Sequence, residues 1–487
     1  MIVGALLLMD KKEFASAFWV SDISTNFEKD GVQGNLTFTG SGLDLTIPIG
    51  YLFDYEENNG VKVLTLNPID APVAFGFCQT GEKITLMDIW TPGPGFTSPG
   101  YYHENLHAES ALISKETFIS PNPLIKNLRL QISCLWDWFG KAFGQISNEF
   151  DSDTGKWNKT NATWKNDELE EIPLFKNNNV DICLQPILTF KGGPLPQQEF
   201  SVKSDVYLQL SFHNSAIRLD EAMNQWVYPM WQFLTFCMGF RSSIEEVKIR
   251  TEDNHDAYYF LPLINGEKNP SKTKLDSMPL PYDFVSQSHS DLLGNWLNMT
   301  GDTQRAARVL TGVQSNNENT QLDSIFTTVS SALEAISRVG EKSRDIERTR
   351  FKKIQNNIDI CLDSEKDIQW IKNKLNNIPS ANYYTEALLK KLKVFGNYIV
   401  PDQTRFLKDL RNNRNAYVHQ TSALDENNTF ANKELYVLTL AVKSLCYGAL
   451  MMQLGMTDDE ILKCFKTTRF CHVEINLIRE MYALKQN

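Results

Sequence analysis

Two short stretches carry residue types that do chemistry. The first is "LRNNRNAYVHQ", residues 410–420, with two arginines, three asparagines, a glutamine and a histidine amid helical patterning. Asparagine weakens helices and histidine titrates near neutrality, so neither is there for helix propensity. At about 100° per residue, with Arg411 as zero, Arg414 falls near about −60°, Asn415 near about +40° and His419 near about +80°. That arc of roughly 140° is too wide for Arg414 and His419 to meet on one atom of an uninterrupted helix. Either the helix ends there, or a second copy of the chain completes the set. The chemistry such a set suits is phosphoryl transfer on RNA. Arginine grips a phosphate through paired hydrogen bonds and stabilises the charge of the transition state, and histidine exchanges a proton with the ribose 2′-hydroxyl or the leaving oxygen. No metal or other cofactor is required.

The second stretch is "HENLH", His103–His107, which satisfies H-E-x-x-H. A zinc protease needs those histidines one helical turn apart, a third ligand, and the glutamate as base. Here "TPGPGFTSPGYY" precedes and "SALISKETFISPNP" follows, among strand signals. Position 110 is serine and position 113 isoleucine, so the extended zinc motif is missing as well. In a strand the two histidines share one face and Glu104 takes the other. The expectation is a pair of strand histidines.

Charge supports the first stretch. Net charge is −11, which argues against nonspecific coating of nucleic acid. From Asp283 onward there are 26 Lys+Arg against 24 Asp+Glu, and before it 22 against 35, so the acidity belongs to the front of the chain. Between 390 and 414, Lys390, Lys391, Lys393, Arg405, Lys408, Arg411 and Arg414 face only Asp402 and Asp409. Such a patch holds an anionic backbone locally, with Arg411 and Lys408 as candidate RNA contacts.

The elements that must position these residues divide the chain. Seventeen of nineteen prolines and nineteen of twenty-six glycines precede residue 283, so the front should be strands and turns and the back helices. The fold class is α+β: a β-rich domain over 1–265, a linker over 266–283, and a helical region over 284–487. "GNLTFTGSGLDLTIP", "VKVLTLN", "KITLMDIW", "LRLQISCLW", "VYLQLSF" and "VKIRT" read as strands. A helix is expected over 219–240, kinked at Pro229. Residues 148–171, almost without aliphatics, are expected as an exposed loop or subdomain linker. In the back, "SIFTTVSSALEAISRV" places Phe326, Val329, Leu333, Ile336 and Val339 on one stripe. "TEALLKKLKVFGNYI", "DQTRFLKDLRNNRNAYVH" and "NKELYVLTLAVKSLCYGALMMQL" follow as further helices of a bundle.

Eight scattered cysteines without a C-x-x-C pair imply neither a disulfide scaffold nor a zinc site, and fit a reducing cytoplasm. The opening "MIVGALLLMDKKEF" lacks a basic lead and is too short to span a bilayer, so it is read as neither signal nor anchor, and no membrane partner is expected. Met9 is the expected initiator.

"RNAYVH", Arg414–His419, resembles the R-[polar]-x-x-x-H signature of HEPN domains, the helical ribonuclease modules of toxins and prokaryotic antiviral systems. "SSALEAISR", 330–338, is similar to the earlier HEPN helix that carries an acid, here Glu334. "FGFCQTGEKITLMDIW", "LRLQISCLWDW" and "SFHNSAIRLDEAMNQWVYPMWQFLTFCMGFRSSIEEVKI" resemble the N-terminal domain of ApeA-type anti-phage proteins. The resemblance implies an all-α HEPN domain at about 320–465, with Arg414 and His419 as catalytic pair and Asn415 at the polar position. Glu334 either orients the arginine across helices or pairs with Arg338. It further implies a metal-independent endoribonuclease that uses the ribose 2′-hydroxyl, works as a homodimer and serves abortive anti-phage defence. The front domain would sense a phage-derived trigger or restrain the nuclease. Some HEPN toxins carry a modified tyrosine two residues beyond the histidine, where this chain has Thr421. The alternative from another class is a noncatalytic dimerisation or scaffold protein.

Overall fold

The computed structural model describes residues 13–39, 42–53, 55–58, 61–64, 72–91, 95–97, 101–141, 144–150, 154, 157–164, 170–191, 201–261, 271–288, 290–315, 321–362, 364–419, 430, 432–468 and 472–484. Met9 and Thr421 lie outside them. By their contacts the residues form two compact units, Met1–Trp231 with Ser242–Asn269, and Gln232–Arg241 with Pro270–Asn487.

The first unit is built on antiparallel strands. β1 (Glu13–Val20), β2 (Val32–Phe38), β3 (Leu43–Ile47), β4 (Ala74–Phe77), β5 (Lys83–Trp90) and β6 (Tyr101–Ser114) pair in the ring β1-β2-β3-β6-β5-β4-β1. The ring closes because β6 is long enough to pair with β5 along one edge and β3 along the other, which gives a six-stranded barrel. Alternation fills it: Leu43, Leu45 and Ile47 of β3 are fully buried and Thr46 is exposed. Trp19 lies over Gly76, its cross-strand partner, where a Cβ would stand 2.5 Å from the indole, so only glycine fits. The strand expected at 61–67 is observed over Val61–Leu64, paired with Tyr55–Asn58.

The far end of β6 also pairs with β12 (Asp256–Phe260) and so joins the barrel to an open limb. That limb runs β12, β11 (Ile244–Thr251), β7 (Leu124–Ile132), β10 (Ser201–Phe212), β9 (Val180–Lys191), β8 (Ile172–Lys176). "HENLH" sits in β6. Glu104 falls with Leu106 and Ala108 on the buried set, and its Oε2 accepts the Leu52 N–H at 2.7 Å. His107 turns the other way and bonds Asp44 at 2.7 Å. Four residues along a strand separate the two histidines by about 13 Å, far more than one helical turn gives, so they cannot share a metal ion. Among the described residues no three metal-ligating side chains cluster.

One expectation for the front needs correction, and the helix expected over 219–240, observed over 219–238, gains a detail. Most of the described part of 148–171 is strand, not loop: Gly144–Phe150 and Trp157–Trp164 pair antiparallel. Polar composition concealed it, although Trp157, Thr160, Thr163 and Trp164 are strand formers. In the helix near Pro229, the interruption is a π-helical turn, Met223–Val227, between Leu219–Ala222 and Tyr228–Met238. A wider turn just before the proline accommodates its missing N–H.

The second unit is helical: α1 (Gly301–Ser315), α2 (Leu322–Ser337), α3 (Arg348–Cys361), α4 (Glu365–Lys374), α5 (Ala381–Lys391), α6 (Lys393–Ile399), α7 (Gln403–His419), α8 (Lys433–Gln453), α9 (Asp458–Thr468) and α10 (His472–Met481), after three short helices. The stripe read for α2 buries Phe326, Val329, Leu333 and Ile336, while Val339 falls past its end. "TEALLKKLKVFGNYI" splits into α5 and α6 at buried Leu392, because the Asp458 carboxylate takes the N–H groups of Val394 and Phe395 and starts a new helix there. α8 is apolar all round because it is the central helix. It is long and apolar enough to cross a membrane, yet 78% of its apolar window is buried within the protein. Phe236, from the segment that joins this unit out of sequence, stacks on Tyr447 of α8 at 5.0 Å.

Gly448 of α8 tests this packing. Alanine in a helix interior ordinarily gains about 1 kcal/mol over glycine. Here an added Cβ would stand 2.2 Å from the buried Phe395 ring. Gly448→Ala should therefore lose stability, by about 1–3 kcal/mol, seen as a lower urea midpoint of the helical signal; a gain would refute the packing.

Candidate active site

α7 buries Phe406, Leu410, Asn413 and Ala416, a stripe at spacings of four, three and three that holds the helix against the bundle. That stripe decides where the remaining residues point. Lys408, Arg411 and Asn415 are exposed, and Arg414 lies at the margin with a quarter of its side chain accessible. α7 keeps helical backbone to His419, its last residue, so the angular separation of Arg414 and His419 is retained within one chain. The His419 side chain lies outside the described residues.

Glu334 reaches across from α2. One carboxylate oxygen pairs with Arg338, one turn on, and the other with Arg414. Both contacts expected of Glu334 as alternatives are made together. The shared carboxylate is mostly buried, so the pair is less screened than a surface one. Arg338 also lies over the Tyr384 ring at 5.5 Å. The Arg414 Nε–H is buried without a partner among the described residues. A cavity of about 280 Å³ opens beside it, and Glu334, Arg411, Arg414 and Asn415 all line it.

The basic surround is narrower than its sequence suggests. Lys390 pairs with Glu386 at 2.8 Å, Lys391 with Glu341 at 2.6 Å, and Arg405 with Asp409 at 3.7 Å and the Met481 carbonyl at 2.7 Å. Lys393 and Arg411 form no ion pair among the described residues, and Lys408 acts on Asp409 without closing an ion pair with it. Lys408 stands one turn before Arg411 and does not line the cavity. Burial pushes the Asp409 carboxyl up, against the opposing pull of Arg405 and Lys408.

Sequence reasoning missed the residues that fasten α7. Asn413 is fully buried; its amide donates to the Asp409 carbonyl at 2.8 Å and its oxygen accepts the Phe430 N–H at 2.6 Å. Tyr417 donates to the Phe430 carbonyl at 2.6 Å and packs edge-on against Phe326 at 5.9 Å. Burial, aided by Asp323, raises the Tyr417 hydroxyl, which keeps it a donor. The available signal was an asparagine standing where the apolar stripe requires a buried residue. Ser330, Ser380 and Asn382, which complete the cavity wall, carried no sequence signal.

Residues 13–296 match the family model described as ApeA N-terminal domain 1, and 327–460 match the one described as Apea-like HEPN. The second match contains all of α7 and α2 from residue 327 on, the two helices that meet at Glu334 and Arg414. No curated protein and no solved structure matches the chain.

Asn413→Ala should strip the Phe430 N–H of its acceptor and cost about 1–3 kcal/mol, measured by denaturant unfolding of the full chain. Unchanged stability would mean that Asn413 fastens nothing.

Proposed function

The chain belongs to the ApeA-type family with a C-terminal HEPN domain, and on that premise we propose that it is a metal-independent endoribonuclease of anti-phage defence. The observation that carries this reading is the Arg414–Glu334 pair at the edge of the cavity, on a helix that continues to His419. Glu334 holds one side of the guanidinium and leaves its remaining donors to a phosphate. His419 takes the proton of a ribose 2′-hydroxyl. The freed oxygen attacks phosphorus, the bond to the 5′-oxygen breaks, and that oxygen leaves with a proton taken from solvent water. The products are a 2′,3′-cyclic phosphate and a 5′-hydroxyl. Arg414 stabilises the charge on the phosphorane, and Asn415 orients the strand.

Because Arg414 and His419 project about 140° apart from one helix, the histidine of a second copy completes each site in a homodimer. Arg411 and Lys408 hold the RNA backbone. The β-rich unit receives a phage-derived trigger that releases the nuclease, and the protein works in the cytoplasm.

A second reading draws on the same ion pair. Arg414 is already paired with Glu334, as a purely structural arginine would be, and a noncatalytic dimerising bundle would use it so. Cleavage of total RNA by the full chain in EDTA, under activating conditions, separates the two. Arg414→Ala and His419→Ala should each lower the rate by at least about 100-fold, and Glu334→Gln by about tenfold. Cleavage by His419→Ala equal to wild type, or none by wild type, would leave the scaffold reading standing.

A further inference from the structure

The cavity beside Arg414 has a second wall to which the mechanism above gives no part. α5 begins there. Ser380 caps it, its hydroxyl accepting the Tyr383 N–H at 3.2 Å, while the Ala381 and Asn382 N–H groups have no partner among the described residues. These free N–H groups carry the positive end of an eleven-residue helix. Ser330 of α2 lines the same cavity, is only 3% exposed, and its hydroxyl has no hydrogen-bond partner among the described residues. A buried hydroxyl left unpaired is unfavourable unless something else bonds it.

The charge of the lining selects the sign of the ligand. Glu334 is the only acid among its described lining residues, and both its oxygens are held by arginines. Arg411 adds a guanidinium without an acidic partner among the described residues. Thr385 also lines the cavity, but its hydroxyl already donates to the Ala381 carbonyl at 3.0 Å. Two guanidinium groups, a helix N-terminus and an unpaired hydroxyl around one cavity fit a phosphate oxygen and disfavour a cation.

We propose that the N-terminus of α5, with Ser330 and Arg411, forms a second phosphate subsite that holds the phosphodiester next to the scissile one. This rests on the nuclease reading, in which Arg411 holds the RNA backbone, and it assigns to Arg411 the phosphate next to the scissile one, shared with Ser330 and the start of α5, which that reading leaves unused. The subsite sets the register of the strand, so that one particular 2′-hydroxyl reaches the histidine. It acts through binding and leaves the bond-breaking groups untouched.

The test is the affinity of the full chain for a 2′-O-methyl hexauridylate, which cannot be cleaved because its 2′-oxygens are blocked, measured across salt. Asn382→Asp puts a carboxylate at the second position of α5, where it favours the helix, so the thermal midpoint should hold or rise. Affinity should nevertheless fall about tenfold, with a salt slope lower by roughly one phosphate contact. Ser330→Ala should weaken binding by about threefold without loss of stability. Gln369→Asp, the same charge change on exposed α4, should stay within about twofold of wild type.

The subsite is overturned if Asn382→Asp binds as wild type does, or if Gln369→Asp weakens binding equally. Either result, beside wild-type RNA cleavage that depends on His419, leaves the nuclease reading intact. A wild-type chain that neither binds the hexamer nor cleaves RNA overturns both.

Discussion

One carboxylate holds the helical unit's site together. Glu334 is shared between Arg338 on its own helix and Arg414 on α7. A mostly buried acid facing a single arginine would be balanced, and adding a second guanidinium makes the local sum positive beside a cavity. A fixed guanidinium also loses less freedom when it meets a phosphate, because its rotamer is already chosen. The same pair that ties α2 to α7 thus pre-positions the group that would meet the transition state.

The pair works only if α7 is clamped in rotation, since a turn of one residue would carry Arg414 away from Glu334. Phe406, Leu410 and Ala416 set the buried face by apolar packing. Asn413 and Tyr417 then bind both backbone groups of Phe430, which fixes that residue against the helix that bears the motif. This answers the question raised by the asparagines of "LRNNRNAYVHQ". One of them is a buried clamp, one lines the cavity, and the helix tolerates their poor propensity because tertiary bonds outweigh it.

Local pattern made much of this legible. The period of α2 identified its buried stripe, the alternation of β3 and β5 identified barrel strands, and the spacing from Arg414 to His419 was readable as one helix. What escaped depends on partners distant in sequence. The break at Leu392 is set by Asp458, the closure of the barrel by the two edges of β6, and the contribution of residues 232–241 to the helical unit by rings such as Phe236 against Tyr447. The pairing of Gly144–Phe150 with Trp157–Trp164 escaped for another reason: threonine and tryptophan formed strands without an aliphatic signal. At the site, the sequence left Glu334 with two alternative partners, and only the cross-helix geometry could join them.

The central claim is that a guanidinium and an imidazole break RNA by using its own 2′-hydroxyl. The chemical ends of the products test it most directly. RNA incubated with the activated full chain in EDTA should carry 2′,3′-cyclic phosphates and 5′-hydroxyls, and these should vanish with His419→Ala. Products ending in a 3′-hydroxyl and a 5′-phosphate would show that water, not the ribose, attacks, and would contradict the account.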